Sequence, residues 1–254
     1  MNGLIAFIKK EYLEQIRTYR MLIMISTFFL FGMMSPLLAK LMPEIISGMD
    51  MQGVIITVPP ATVMDSYGQF FKNMNQMGLV VVLLVFGGIL SNELIRGTLI
   101  NMLSKGLGRH TVILAKYIAA LTLWTVSYLL SCVVNQAYTA YLFDTTSVKN
   151  LIFSLFCQWM FGAFILALVF LSSTLTGGNF GGLILTAVFL GVLLILNVFP
   201  EMKEFNPVYL SSHNVELLAG SLSPNDVMLP LWITVVLTVG SIWTSIALFA
   251  KKKL

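Results

Sequence analysis

Charged residues are scarce in this sequence of 254 residues. They make up 10% of the chain, whereas a soluble domain carries about a quarter, and hydrophobic residues make up 57%. Between residues 150 and 200 there is no Asp, Glu, Lys, Arg or His. This composition excludes an ordinary soluble domain and indicates an integral membrane protein.

The sequence also lacks the patterns by which most enzymes and ATPases are found. It has no His-Glu-x-x-His helix for zinc, no paired intramembrane aspartates, no Gly-x-Ser-x-Gly elbow and no Gly-x-x-x-x-Gly-Lys-Ser/Thr phosphate loop. Its two histidines, His110 and His213, fall on opposite sides of the membrane in the topology predicted below. We therefore expect neither an enzyme nor a chain with its own ATP site, and no metal site.

Ionisable groups at membrane depth are missing too. Carriers driven by protons or sodium generally use such groups to bind and couple the ion. The central parts of the apolar runs contain none. Some sodium sites use only carbonyls and hydroxyls, so an ion-coupled carrier or channel stays open as an alternative.

Cysteine is rare, with Cys132 and Cys157 the only two. Both fall towards the outer ends of predicted spans. Packing as small apolar side chains is favoured, and a disulfide between them stays open.

Six apolar runs are long enough to be spanning helices, since a hydrocarbon layer of about 30 Å needs about 20 helical residues. They cover residues 21–41, 77–94, 112–134, 151–174, 178–199 and 228–250. Barrel strands would be alternating segments of about 10 residues, which these runs are not. The sequence predicts an all-α integral membrane protein with six transmembrane helices in one domain, 1–254. The first run follows a charged stretch and is predicted to be a span, not a cleaved signal peptide.

The positions of Lys and Arg predict the orientation. With the N-terminus inside, 11 of the 15 basic residues face the cytoplasm. These are Lys9, Lys10, Arg17, Arg20, Arg96, Lys105, Arg109, Lys116, Lys251, Lys252 and Lys253. Eight of the 11 acidic residues then lie outside, and Glu11, Glu14 and Glu93 lie inside. Both termini are predicted to be cytoplasmic, and the net charge of +4 gives no reason to invoke nucleic acid.

Residues 1–20 show an apolar stripe at helical spacing, formed by Ile5, Ile8, Tyr12, Ile16 and Tyr19. Charged side chains occupy the other faces. This pattern predicts an amphipathic helix that lies in the inner membrane interface. A plain helical flank that carries positive charge is the alternative.

The outer side is predicted to carry two long segments. Residues 41–76 form a loop with turn-forming Pro59 and Pro60, and residues 200–227 include a short apolar middle that dips back into the membrane or forms a surface helix.

One inner loop, after the second span, is long and polar. Its sequence predicts an amphipathic helix with Leu99, Met102 and Leu103 on one side and a stop at Gly106 and Gly108. A carboxylate at the inner end of a span, such as Glu93, is costly unless it is paired. The cations available to Glu93 are Arg17, Arg20 and Arg96; a surface charge without a special partner is the alternative. If the chain moves cargo uphill, its energy must come from a partner, and this loop is where such a partner would dock.

The stretch "NELIRGTLINMLSKGLGRHTVILAKYIAAL" resembles the inner loop after the second span in six-span permease subunits of bacterial ABC exporters of the drug, peptide and polysaccharide type. The resemblance rests on Glu93, Gly97, Thr98, Leu103, Arg109 and Lys116. It implies that residues 95–111 form a coupling loop that docks on a separate ATPase subunit. It also implies a bacterial plasma-membrane complex of two permeases and two ATPases. ATP and Mg would then be bound by the partner ATPase.

The resemblance implies a role for each matching residue. Glu93 would anchor the loop to the N-terminal helix through Arg17 or Arg20. Gly97 and Thr98 would shape the entry to the coupling helix, and Arg109 and Lys116 would fix its return to the third span. The predicted ATPase-coupling loop also includes Arg96, Leu99, Met102 and Leu103. Gly106, Leu107 and Gly108 occupy a region where the family often has a proline, so the exit turn is expected to be looser.

A cargo cavity between two permeases would have an apolar wall with few polar features, such as Gln158, Trp159 and Asn197. This favours a hydrophobic or amphipathic cargo, for instance an antimicrobial or membrane-active peptide or a drug. A membrane protein that binds a toxin and confers immunity is a further alternative. The sequence leaves open whether the second permease is another copy of this chain or a sister subunit.

Overall fold

The computed structural model describes residues 2–47, 59–91, 93, 97, 99, 103, 104, 106, 108–143, 148–178 and 180–252. All regular secondary structure in these residues is helical. Within the described residues, five helices are long and apolar enough to cross a membrane: Arg20–Ile46, Val63–Phe86, Arg109–Leu142, Leu151–Thr176 and Pro224–Lys251. The predicted all-α membrane class is confirmed.

The helices are numbered here in chain order. They are α1 (Asn2–Arg17), α2 (Arg20–Ser47), α3 (Val63–Asn73), α4 (Leu79–Phe86), α5 (Arg109–Leu142), α6 (Leu151–Thr176), α7 (Gly181–Leu196), α8 (Tyr209–Ser212), α9 (Asn214–Ala219) and α10 (Met228–Lys251). A π-helical turn, Met74–Gly78, joins α3 to α4, and 3₁₀ turns cover Pro200–Phe205 and Pro224–Val227.

The helix that contains the second predicted span begins earlier than the sequence indicates, at Val63 instead of residue 77. Thr62 caps it through a reciprocal capping box with Asp65. Its buried face follows helical spacing and consists of Val63, Ser66, Tyr67, Phe70 and Phe71. Polar residues on the other face lower the hydropathy of this stretch, so the sequence assigns it to an outer loop.

Two other predicted spans also differ in length from their helices. The helix α5 has 34 residues, more than a bilayer requires, and includes the predicted span 112–134. The helix α7 has only 16 residues, fewer than the roughly 20 that a span needs, whereas the sequence predicts a span over 178–199. It ends before Asn197, and Pro200 starts a 3₁₀ turn.

Glycines let neighbouring helices approach closely. A Cβ on Gly32 of α2 would lie 2.6 Å from the carbonyl oxygen of Ser131 on α5. A Cβ on Gly162 of α6 would lie 2.1 Å from the ring of Trp124. Trp124 in turn packs edge-on against Phe28, with ring centroids 5.4 Å apart. Close approach through small residues is the usual way in which membrane helices pack.

The segment between α7 and α10, which the sequence predicts to lie outside, is folded onto the bundle; it is called the outer segment below. Its short helices α8 and α9 contact α6, and α9 also contacts α3. Val208, Leu210, Leu217 and Leu218 are buried there. Cys132 and Cys157 are both free cysteines.

Candidate functional site

Five charged side chains meet where α1, the segment after α4 and α5 come together. We call Lys10, Glu11, Glu14, Glu93 and Lys116 the inner charge cluster. The Nζ atom of Lys116 lies 2.9 Å from both carboxylate oxygens of Glu11 and 2.9 Å from Oε2 of Glu93. Lys10 forms ion pairs with Glu11, at 2.9 Å, and with Glu14 and Glu93. The end of the second-span helix is thereby joined to α1 and to α5.

The centre of this cluster is fully buried. The side chain of Lys116 is 0% exposed and that of Glu11 is 1% exposed. Burying an ion costs several kcal/mol unless partners compensate it, so these charges depend on each other. Separating the members of this cluster is therefore expected to cost much free energy, and we refer to the cluster as the inner joint.

The helical spacing of α1 explains how it reaches the cluster. Phe7, Glu11 and Gln15 are buried at steps of four residues and form the face that packs on the bundle. Much of the apolar stripe predicted from the sequence points elsewhere: Ile5 is 63% exposed and Tyr19 is 67% exposed. A mixed face of α1, with one aromatic and two polar side chains, thus contacts the bundle, while part of the apolar stripe remains on the surface. That arrangement fits the predicted interfacial position.

Contacts within the cluster shift the pKa of two partly buried members on α1. Burial lowers the pKa of Lys10, but hydrogen bonds to Glu14 and Glu93 and the charge of Glu11 outweigh this, so the pKa lies above its ordinary value. Burial raises the pKa of Glu14, but the hydrogen bond from Lys10 and the charge of Lys116 outweigh it, so the pKa lies below its ordinary value. Both groups are charged across the neutral range.

Of the three cations expected at Glu93, Arg96 lies outside the described residues, and the other two are not its partners in the structure. The structure pairs Glu93 with Lys10 and Lys116, not with Arg17 or Arg20. Lys10 and Arg17 are seven residues apart, so they share one face of α1 at heights about 10 Å apart. The loop meets α1 at the height of Lys10, and Arg17 remains exposed at the end of the helix.

Arg109 and Lys252 bind the C-terminal ends of two other helices, on the side predicted to be cytoplasmic. Arg109 donates hydrogen bonds from Nη1 to the carbonyl oxygens of Ala250 and Lys252, both at 2.7 Å, at the end of α10. The ammonium group of Lys252 donates to the carbonyl oxygen of Thr174 in the last turn of α6, at 3.0 Å. Cations at these ends also complement the helix dipoles. Arg109 thus links the start of α5 to the end of α10.

The predicted coupling loop is described in part. Gly97 and Gly106 have positive φ angles, 69° and 92°, which favour glycine. Leu99 is fully buried and Leu103 packs partly buried against the core. Leu99 therefore contacts the bundle instead of offering its side chain to a partner. Arg96, Thr98 and Met102 lie outside the described residues.

The three residues predicted to line a cargo cavity occupy different surroundings. Gln158 is 1% exposed, and Trp159 donates from its indole nitrogen to Thr125, at 3.0 Å. Asn197 lies just after α7 and is partly buried. Gln158 and Trp159 are consecutive on α6 and therefore point in different directions from that helix.

Gln158 belongs to an outer amide network, which we define as Asn75, Gln158 and Asn214. Gln158 donates to the side-chain oxygen of Asn75 at 2.8 Å and accepts from the side-chain nitrogen of Asn214 at 3.0 Å. Asn75 also donates to the carbonyl oxygen of Ser211 at 2.7 Å. The network joins the π-helical turn, α6 and the outer segment. Bulges of this kind inside helices are frequent at functional sites.

Sequence reasoning missed Lys10, Glu11, Asn75 and Asn214. One signal could have found part of the cluster: Lys116 lies inside a predicted span, where an ammonium group requires a carboxylate partner. Among the acidic residues on the same predicted side, Glu11 and Glu93 provide it. No comparable feature of the sequence points to Asn75, because residues 41–76 are predicted to form an outer loop.

Comparison with known proteins gives the family. The model of the family described as ABC-2 family transporter protein matches residues 5–254. The comparison with curated proteins found no match. The match covers almost the whole chain and agrees with the helical, apolar architecture. The chain therefore belongs to the ABC-2 transporter family, as a multi-pass membrane permease of an ABC transporter.

Proposed function

We propose that this permease is the membrane subunit of an ATP-driven exporter and receives mechanical work at its inner end. The main evidence for this is an ion-paired carboxylate. Glu93, which follows the second-span helix (Val63–Phe86), pairs with Lys10 of α1 and Lys116 of α5. A push on the coupling loop would be transmitted to these helices together. The joint is buried and charged, so it resists opening under load.

The source of that push would be a separate ABC ATPase, which the family implies. We propose a complex of two permeases and two ATPases in a bacterial plasma membrane, with ATP and Mg on the ATPases and no cofactor on this chain. The second permease is another copy or a sister subunit. Residues 95–111 are proposed to dock on the ATPase through the side chains that do not pack inward.

The cargo is proposed to be hydrophobic or amphipathic, such as an antimicrobial or membrane-active peptide or a drug. The absence of charged residues between positions 150 and 200 supports this, since a strongly ionic cargo would need counter-charges. Trp159 and Asn197 are partly exposed and are candidates for contact with the cargo. Gln158 would reach a cargo only if the outer amide network opened.

The test is reconstitution of the permease with the ATPase encoded beside it. In Glu93→Gln the carboxylate is replaced by an amide of the same shape. We expect the variant to insert normally but to transport about tenfold less cargo per ATP hydrolysed, because removal of one partner of a buried charge pair is strongly unfavourable. Transport of a fluorescent amphipathic peptide and phosphate release are measured in the same vesicles.

Glu201→Gln is the matched control, because Glu201 is exposed on the outer side of the predicted topology. It should transport like the native chain. Unchanged coupling in Glu93→Gln would refute the role of the joint. Transport that follows a proton or sodium gradient without ATP would refute the exporter and support an ion-coupled carrier. Peptide binding without any transport would support an immunity protein.

A further inference from the structure

Arg20 lines a groove between the first turns of α2 and the end of the second-span helix. The groove has a volume of about 400 Å³ and is lined by Arg20, Ile23, Val81, Leu84, Val85 and Gly88. Apart from the guanidinium group, the described side chains around it are aliphatic. It is separate from the inner charge cluster, whose cations are Lys10 and Lys116.

One nitrogen of the Arg20 guanidinium group lacks an acceptor in the described part of the chain. This atom, Nη1, is buried and has no hydrogen-bond partner among the residues that the structure describes. A buried donor without a partner is costly, and more so when it carries a charge. The groove therefore requires an acceptor, preferably an anion, that the described part of the chain does not supply.

The walls of the groove open onto the apolar surface of the bundle. Leu84 is 67% exposed and Ile23 is 44% exposed. In a membrane-spanning protein such side chains face the acyl chains of lipids. Arg20 is the first residue of a candidate span, and the adjacent Tyr19 is exposed, as is common for aromatic residues at the membrane interface. The guanidinium group is thus placed at the height of lipid headgroups.

We propose that this groove binds an anionic phospholipid of the inner leaflet. Arg20 donates hydrogen bonds to the phosphate group, a geometry for which the planar guanidinium is well suited. One acyl chain lies along Ile23, Val81 and Leu84. Basic pockets between membrane helices on the cytoplasmic side bind lipid headgroups in this way. The phosphate group supplies the acceptor that Arg20 lacks among the described residues, and the acyl chain covers the apolar walls of the groove.

Such a lipid would contact two helices that are proposed to move when the ATPase pushes on the coupling loop. Arg20 starts α2, directly after α1, and Val81, Leu84 and Val85 belong to α4, which leads to Glu93. The bound lipid would fill the space between them on the membrane side. The binding itself does not depend on the proposed exporter function, so it is measured first on the permease alone.

The experiment measures lipid binding by native mass spectrometry of the purified permease in an uncharged detergent. Phosphatidylglycerol is titrated against the native chain, Arg20→Gln and Arg17→Gln. Arg17 is the matched control, because it is a neighbouring arginine that is exposed and not part of the groove. We expect about tenfold weaker binding in Arg20→Gln and a change below about twofold in Arg17→Gln, as for loss of a hydrogen bond to a charged group.

A second variant separates binding from folding. Ile23→Trp keeps Arg20 but fills the groove from an exposed position, and it should weaken phosphatidylglycerol binding while the circular dichroism spectrum stays native. Equal weakening by Arg20→Gln and Arg17→Gln would overturn the proposal in favour of general charge attraction. Equal binding of phosphatidylglycerol and uncharged diacylglycerol would overturn it as well. Displacement of the lipid by an added ATPase subunit would assign the groove to a protein partner.

Discussion

The inner charge cluster and the outer amide network each join three elements, but with different chemistry. The inner joint uses full charges, with Lys116 and Glu11 completely buried. The outer joint uses neutral amides, Asn75, Gln158 and Asn214. Both contact the helix of the second span, one at the π-helical turn in its middle and one just past its end.

The difference indicates which joint can open. Separating buried charges leaves an uncompensated ion, whereas a neutral amide can exchange its partner for water at a much smaller cost. We therefore expect the inner ends of α1, α5 and the second-span helix to move as one unit during transport. We expect the outer segment to be the part that loosens.

The largest effect is expected at the inner joint. Lys116→Met removes an ammonium group that Glu11 and Glu93 share. It should lower the free energy of unfolding by about 3–5 kcal/mol, because two buried carboxylates lose the fully buried one of the two ammonium groups that they share. Unfolding in detergent micelles, followed by circular dichroism, measures this.

Lys72→Met provides the control for that substitution, since Lys72 is exposed. A double variant, Lys116→Met with Glu11→Gln, should recover part of the lost stability. If Lys116→Met lowered the free energy of unfolding no more than Lys72→Met does, the inner charge cluster would not be the more stable of the two contacts.

A smaller effect is expected at the outer joint. Gln158→Leu leaves the amide groups of Asn75 and Asn214 without their shared partner. It should lower the free energy of unfolding by about 1–3 kcal/mol, the cost of unsatisfied buried polar groups. Thermal unfolding compares it with Asn225→Leu, a change at an exposed amide.

The order of the stability losses caused by Lys116→Met and Gln158→Leu tests the comparison more directly than either loss alone. A loss for Gln158→Leu that exceeds the loss for Lys116→Met would invert the comparison. It would make the outer segment the fixed part of the molecule.

The smallest effect is a dependence on pH that only the inner joint should show. The folded pKa of Glu14 lies below the ordinary value of 4.5, so its contribution to stability is present above pH 4.5 and is lost as the pH falls through the folded pKa. The pKa of Lys10 is raised, so its contribution is present below pH 10.5 and is lost in strong alkali.

Comparison of the native chain with Glu14→Gln tests this linkage. The difference in melting temperature should be constant near neutral pH and should shrink below pH 4.5. Gln158→Leu should differ from the native chain by the same amount throughout, since its amides do not titrate. A difference for Glu14→Gln that persists unchanged in acid would contradict the ion pair with Lys10.

The sequence predicts much of this architecture because the hydrocarbon layer constrains it. Long apolar runs without charge have to be helical, and they were identifiable on that ground alone. The unusual character of Glu93 follows from the same reasoning. Its partners do not, because Lys10 and Arg17 share a face of α1 and differ only in height. That height depends on how α1 slides against the bundle, which is a tertiary property.

The outer amide network shows a second kind of limit. Asn75 lies in a polar stretch whose mean hydropathy is lowered by residues such as Gln69 and Lys72. A window of hydropathy cannot separate a loop from a helix that is polar on one face and packed on the other. The buried face of α3 becomes visible only when helical spacing is considered together with its packing partners.

The π-helical turn Met74–Gly78 has a consequence for the length of its helix. Such a turn contains one residue more than an α-helical turn. Deleting one residue there, for instance the exposed Met77, would let the segment close into a regular α-helix and would leave α3 and α4 in nearly the same relative orientation, because the wide turn accommodates one extra residue. Deleting one residue from the regular α-helical part of α3 would instead rotate the residues before it by about 100°, and the hydrogen bonds of Ser66 to Thr139 and of Tyr67 to Gln136 would lose their alignment. A change of length by one residue is therefore expected to be tolerated at this turn and to be disruptive in α3.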